Sequence, residues 1–302
     1  MTIAKPALSL AAVPGRRQRT LELAQEIAAR GYAGLYCPSF GDGLALCEAL
    51  ALTTRTIPFG TSVAPIYYRA AEDYAHTTAF INELAPGRFR FGIGVAHEPS
   101  LAARGLHGGK PLVDIRAFVE RLRATPRTGP LPPVVLATLR RRMISLAAEI
   151  GDGLVFANAA RSHMAFSLAA LPPGRAEAAD FYIGNMIPTC VDDDLSAARA
   201  VNRRTLSSYA LLPNYRNYWR EAGYAVEMAA VERCIADQRL DHVGDCLSDT
   251  WLDDCTIAGP ASRVREELER WYAAGVKTPI LVPSSTRGGQ LEAFADLFAV
   301  FD

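Results

Sequence analysis

Residues 56–100, TIPFGTSVAPIYYRAAEDYAHTTAFINELAPGRFRFGIGVAHEPS, constrain the fold more than any other stretch of the chain. An apolar run ends in Gly60-Thr61-Ser62-Val63-Ala64-Pro65, whose small residues and proline leave the strand. Periodicity predicts a helix over about 70–84, and Pro86-Gly87 stop it as a proline and glycine just past a C-terminus should. A second apolar run, 88–95, breaks into Ala96-His97-Glu98-Pro99. A short helical crossover makes the two strands parallel and right-handed, so both finish on one edge. Loops on that edge are where parallel α/β proteins bind ligands.

The rest of the chain repeats the alternation. Apolar runs at 7–13, 35–38, 134–137, 154–158, 180–188 and 279–283 read as further strands. Between them lie helical patterns: one opens at Thr20 with Leu21, Ala24, Ile27 and Ala28 at 3.6-residue spacing and ends at Gly31. Others cover 44–54, 112–122, Thr138 to Ile150, 260–275 and 291–301. Residues 98–110 read as a glycine-rich polar loop. A mainly helical insert spans about 191–254. Asp192, Asp193 and Asp194 are expected in the first turn of its leading helix and Arg203 and Arg204 further along, an order that suits the helix dipole and so reads as structural. Eight strands with intervening helices predict an α/β fold, a (β/α)8 TIM barrel over 1–302 as one domain, with the insertion between strands 7 and 8.

Composition narrows the partners. The chain has 32 basic and 32 acidic residues and no basic block, which argues against nucleic acid. No stretch approaches the roughly 20 apolar residues of a membrane span, and the N-terminal apolar run is too short for a secretory signal, so a cytoplasmic protein is expected. Six scattered cysteines without a CxxC pair are expected to be reduced thiols, several of them buried. Cys246 and Cys255 lie close in sequence, but proximity alone does not support a disulfide. The five histidines, at 76, 97, 107, 163 and 242, show none of the usual ligand spacings, so no metal is expected. His76 reads as a surface or interface residue. There is no GxSxG elbow, no P-loop and no GxGxxG opening a helix.

Ile57 to Gly60-Thr61-Ser62-Val63, Asn82-Glu83-Leu84-x-Pro86-Gly87-Arg88-Phe89 and Gly92-Ile93-Gly94-Val95-x-His97 together resemble the luciferase-like oxidoreductases of flavin and deazaflavin chemistry, most closely the branch that uses coenzyme F420. The later segments Leu136-Ala137…Arg142-Met143…Gly151-Asp152-Gly153 and Val264…Leu268…Ala274-Gly275-Val276 also look like that family. The resemblance implies the same barrel. It further implies an oxidoreductase moving a hydride between F420 and an organic substrate. An FMN-dependent monooxygenase and a cofactor-free luciferase-like subunit are the alternatives. Relatives commonly pair as dimers, so a homodimer is expected, with a small-molecule substrate as the other partner.

In relatives with a GTSV-like segment, a non-prolyl cis peptide at the position of Ser62-Val63 makes a bulge that backs the cofactor ring. The resemblance therefore puts the ring on Ser62, Val63, Gly94, Ala96 and His97, and the tail toward Thr138, Leu139, Arg140 and Arg141. A helix start after a barrel strand offers free N–H groups and a positive dipole end to a phosphate. Many relatives carry Gly-Pro where this chain has Arg140-Arg141; these arginines either grip a more anionic tail or face solvent. His97 is the candidate proton donor or orienter, since imidazole titrates near neutral pH. Asn158 ends the sixth strand within reach of the same mouth, and Arg287-Gly288-Gly289 is a second candidate phosphate loop. Some deazaflavin-dependent sugar-phosphate dehydrogenases place an Asp-His pair after the second strand; Ser39-Phe40 stand there instead, which argues against that activity and leaves Phe40 to shape an apolar pocket.

Overall fold

The computed structural model describes residues 3–39 and 41–301; Phe40 and its apolar pocket lie outside the described residues. Among the described residues ten strands are interspersed with helices: β1 (Ala7–Ser9), β2 (Gly34–Cys37), β3 (Phe59–Thr61), β4 (Ala64–Pro65), β5 (Phe89–Gly94), β6 (Val134–Ala137), β7 (Gly153–Ala157), β8 (Tyr182–Val191), β9 (Ile257–Gly259) and β10 (Thr278–Ser284). In class this is the (β/α)8 barrel that the alternation predicts. The chain forms two compact units.

The first unit comprises Ala4–Phe156 with Ala170–Gly184. In it β1, β2, β3, β5, β6 and β7 pair in that order, all parallel, and β4 adds to the end of β5. Strands covered on both faces should be almost wholly apolar, and Leu8, Leu35, Phe59, Phe89, Phe91, Ile93, Leu136 and Leu154 are all buried. A polar layer is built among them: the Arg90 guanidinium stands 5.2 Å over the Tyr182 ring, and Tyr182 lies 5.6 Å from Tyr36.

The Pro-Gly-Arg-Phe motif is a structural device. Gly87 takes φ +72°, the left-handed conformation that stops a helix. Arg88 then donates to Ala51 O (3.1 Å), Ile57 O (3.4 Å) and Thr54 Oγ1 (3.0 Å), tying the end of helix Gly43–Thr53 to β3. Its guanidinium also lies 5.3 Å from the Phe59 ring, which packs on Phe89.

The second unit comprises Ala157–Ala169 and the chain from Asn185 onward. Here β8 pairs with β9 and β10. The insert supplies helices Leu195–Ala210, Pro213–Glu221, Ala225–Ala236 and Asp249–Cys255. They fasten onto the segment leaving β7. Trp219 Nε1 donates to Asn158 O at 3.1 Å, Ala160 N donates to Tyr218 Oη at 3.0 Å, and the buried Asp254 accepts from Ser162 N, Ser162 Oγ and Tyr224 Oη.

Three expectations need correction. The three aspartates precede the leading helix of the insert: Asp194 is its N-cap, accepting from Ser196 N and Ala197 N, and Asp192 accepts from Asp194 N and Thr286 Oγ1. A strand that the pattern does not show, β9, follows the insert and pairs with the last residues of β8. Finally, the polar loop after β5 contains a short helix, Glu98–Ala102.

Candidate functional site

The first unit gathers most of the predicted ring-binding residues on one patch. At the end of β3 the chain bulges. Ser62 N donates to Cys37 O at 2.7 Å, Thr61 Oγ1 donates to Gly92 O at 2.6 Å, and the Ser62-Val63 peptide bond is cis. The bulge fits because β5 carries no side chain opposite it. A Cβ on Gly92 would stand 2.0 Å from Thr61 O; one on Gly94 would stand 3.0 Å from Val63 Cγ2 and 2.9 Å from Ala137 Cβ. Val63, Gly94 and Ala137 are therefore in contact across the strand ends, and Thr138 continues from Ala137.

Two hydroxyls on this patch stand out. Ser62 and Thr138 are each only 5% exposed, and neither Ser62 Oγ nor Thr138 Oγ1 has a hydrogen-bond partner in the structure. A buried donor left unmade costs free energy, so such groups call for a reason.

Ala96 and His97 leave β5 next. His97 is half-buried; its carbonyl accepts from Ser100 N and Leu101 N and so opens helix Glu98–Ala102. Burial pulls the His97 imidazole below its ordinary pKa, which leaves it neutral at pH 7. The following loop is clasped from the other side: Tyr67 Oη donates to Asp114 Oδ2 at 2.6 Å and accepts from Gly109 N. Burial first, then that carboxylate, push the Tyr67 hydroxyl up to about 12.

The anion site differs in detail from its sequence reading. Thr138 and Leu139 lie between β6 and the helix, Arg140 is the extended N-cap, and the helix runs Arg141–Ile150. Arg140, Arg141 and Arg142 are exposed at its start, with no acidic residue in the first turn. Cations at the positive end of a helix dipole are locally unfavourable, by about 0.3–1 kcal/mol each.

Asn158 falls in the second unit. It follows β7 with φ +58° and is buried; its N–H donates to Met186 O, while its carbonyl takes the Trp219 bond. In the second candidate phosphate loop Arg287 is exposed and pairs with Asp296 and Glu292. Gly92 and Thr61, which make the bulge possible, were not among the predicted site residues; Gly-x-Gly at 92–94 facing Gly60-Thr61-Ser62 is the signal that marks them. Among the described residues no cluster of three or more His, Cys, Asp or Glu side chains has the arrangement of a metal site, and no helix is long and apolar enough to cross a membrane.

A family model described as luciferase-like monooxygenase matches residues 3–123 and 103–278. The chain belongs to that family. It is 30% identical over 126 residues to a 5,10-methylenetetrahydromethanopterin reductase of Archaeoglobus fulgidus, a stretch covering 35% of this chain and 38% of the reductase; the chain thus spans well under half the length of that relative. In fold it is similar to the coenzyme F420 dependent tetrahydromethanopterin reductase of Methanopyrus kandleri, with TM-score 0.74, 14% identity and 98% of each chain covered. It is also similar to the oxygenating constituent of 3,6-diketocamphane monooxygenase of Pseudomonas putida in complex with FMN, with TM-score 0.63, 13% identity and coverage of 98% and 95%. The fold is thus shared with a coenzyme F420 dependent reductase and with a monooxygenase constituent in complex with FMN.

Proposed function

We propose that this chain is an oxidoreductase that moves a hydride between coenzyme F420 and a small organic substrate. The observation that carries the reading is the meeting of Val63, Gly94 and Ala137 at the strand ends, with the buried hydroxyls of the adjoining Ser62 and Thr138 left without a protein partner. A planar ring edged with oxygen and nitrogen acceptors fits that chemistry. When bound, the deazaflavin supplies the hydride chemistry, and the protein supplies orientation and exclusion of water. Ser62 and Thr138 donate to the ring edge, and Val63 with Gly94 backs its face. Ala96 lines the exit of β5. His97, neutral at pH 7, holds or transfers a proton at a substrate oxygen.

Leu139, Arg140 and Arg141 receive the cofactor's charged tail. The three consecutive arginines at this helix start favour the polyanionic F420 tail over the shorter phosphate of FMN, because each guanidinium can add a charge-assisted hydrogen bond to an anionic tail. FMN as the cofactor remains the second reading, favoured by the FMN-bound structural relative.

Titration of purified protein with F420 and with FMN tests the reading: deazaflavin fluorescence should change with saturation in the micromolar range. Tight FMN binding with no measurable F420 affinity overturns it. Arg140→Ala should weaken intact F420 more than a tail-less analogue; equal losses remove the tail assignment. A homodimer is part of the proposal, because Leu52 (64% exposed) and Phe80 (56% exposed) face solvent on packed helices Gly43–Thr53 and Ala71–Leu84, with exposed His76 on the second. Sedimentation should give a dimer that Phe80→Glu dissociates; a wild-type monomer refutes this part.

A further inference from the structure

Two thiol pairs lie outside the site. Cys37 and Cys47 have their sulfurs 3.7 Å apart, and both are fully buried. Cys234, on helix Ala225–Ala236, and Cys246, at the end of the 3-10 turn Leu240–Cys246, have theirs 3.4 Å apart. Both of the latter sulfurs also sit on one acceptor, His242 O, at 4.0 and 3.7 Å, so helix and turn already hold them on the same side. Cys234 is buried and Cys246 is partly exposed. Only this second pair combines contact between sulfurs with access from solvent.

We propose that Cys234 and Cys246 are an oxidisable dithiol that closes to a disulfide on exposure to hydrogen peroxide, stapling the turn to the helix. The Cys246 thiolate attacks one peroxide oxygen; the O–O bond breaks, an S–O bond forms, and the departing hydroxide takes a proton to become water. Cys246 is then a sulfenic acid. The Cys234 thiolate attacks that sulfur, the S–O bond breaks, the S–S bond forms, and the oxygen leaves as a second water. Two thiols are oxidised and one peroxide is reduced to two waters. Closing requires the sulfurs to come from contact at 3.4 Å to about 2.05 Å.

The surroundings set the rate. Burial, the hydrogen bond with Cys234 and the Asp245 carboxylate push the Cys246 thiol up to about 11, opposed by Arg233. Little thiolate therefore exists at neutral pH, and the pair stays reduced under brief exposure. Its chemistry is that of a slow response to sustained oxidant, and it does not depend on which cofactor the barrel holds.

The full-length protein, treated with hydrogen peroxide, alkylated after denaturation and digested, should yield a peptide linking Cys234 to Cys246, lighter by two hydrogens and released by dithiothreitol. Cys37 and Cys47 should be recovered alkylated. The oxidised protein should melt a few degrees higher, about 3 °C or more for a staple closing so short a loop, and reductant should reverse the shift. In Cys234→Ser, a variant that keeps the helix, Cys246 should stop at a sulfenic acid that dimedone traps. Recovery of both thiols alkylated, conversion of Cys246 to sulfinic acid without a link, or a link without a gain in melting temperature overturns the proposal.

Discussion

Gly92→Ala tests whether the bulge at Thr61-Ser62-Val63 depends on bare backbone opposite it. The added methyl group would stand 2.0 Å from Thr61 O and 3.0 Å from Thr61 C, both main-chain atoms that no rotamer change can move. Restoring an ordinary contact requires a backbone shift of about 1.2 Å or more. Overpacking of this kind costs about 1–3 kcal/mol. The same shift strains the 2.6 Å bond from Thr61 Oγ1 to Gly92 O and the 2.7 Å bond from Ser62 N to Cys37 O, worth about 1 kcal/mol more. The sum is about 2–4 kcal/mol. For a chain of 302 residues, at about 2 °C per kcal/mol, the melting temperature should fall by about 4–8 °C.

The control is Gly87→Ala. That glycine has φ +72° and no atom within 4 Å of the added methyl, so its cost is purely conformational, about 1–2 kcal/mol. Thermal unfolding followed by circular dichroism should rank Gly92→Ala below Gly87→Ala, and the Gly92 variant should also lose deazaflavin binding while the Gly87 variant keeps it. A Gly92→Ala protein that melts within about 2 °C of wild type and binds as well would refute the account of how the patch is built.

Three further outcomes are expected. Thr138→Val removes a buried hydroxyl that no protein group satisfies, so stability should hold or rise by about 1 kcal/mol while cofactor affinity falls; a marked loss of stability would show that the hydroxyl serves the fold. Arg88→Met deletes the donor to Ala51 O, Ile57 O and Thr54 Oγ1 and should destabilise by about 2–3 kcal/mol in urea unfolding, without changing the ratio of F420 to FMN affinity. His97 has its folded pKa below its unfolded value of about 6.5, so it costs nothing above that pH and stability is lost as pH falls below it; His97→Gln should flatten that part of the acid limb, and identical limbs in both proteins would remove the assignment.

The barrel was legible because buried parallel strands write themselves as short apolar runs between amphipathic helices, and β6, Val134–Ala137, lies where the pattern puts it. What escaped is short or depends on a distant partner. β9 is three residues directly after helix Asp249–Cys255, too brief to show a period of two, and it exists because Thr189–Val191 pairs with it. Pro188 suggests a strand end, yet β8 runs on to Val191, since a proline loses only its own N–H. The helix expected from Thr138 begins at Arg141, after an extended N-cap at Arg140. The ion pairs of Arg287 with Glu292 and Asp296 were not legible either, because helix Gln290–Phe301 brings those carboxylates to it.

A division of labour follows within the motifs themselves. Gly60, Gly92 and Gly94 make room for the bulge, since a Cβ at Gly60 would meet Arg90 O at 2.3 Å much as one at Gly92 would meet Thr61 O. Gly87 and Arg88 join a helix to a strand. None of these residues distinguishes one flat redox ring from another, so the same letters suit a deazaflavin and a flavin equally. On the proposed reading the choice between them rests where the chemistry differs, at the ring edge and the tail, which that reading assigns to Ser62, His97, Thr138 and the arginines at 140–142. Those positions sit in loops and at strand ends whose geometry is set by packing elsewhere, which is why the family can be read from the scaffold while the cofactor has to be settled by binding.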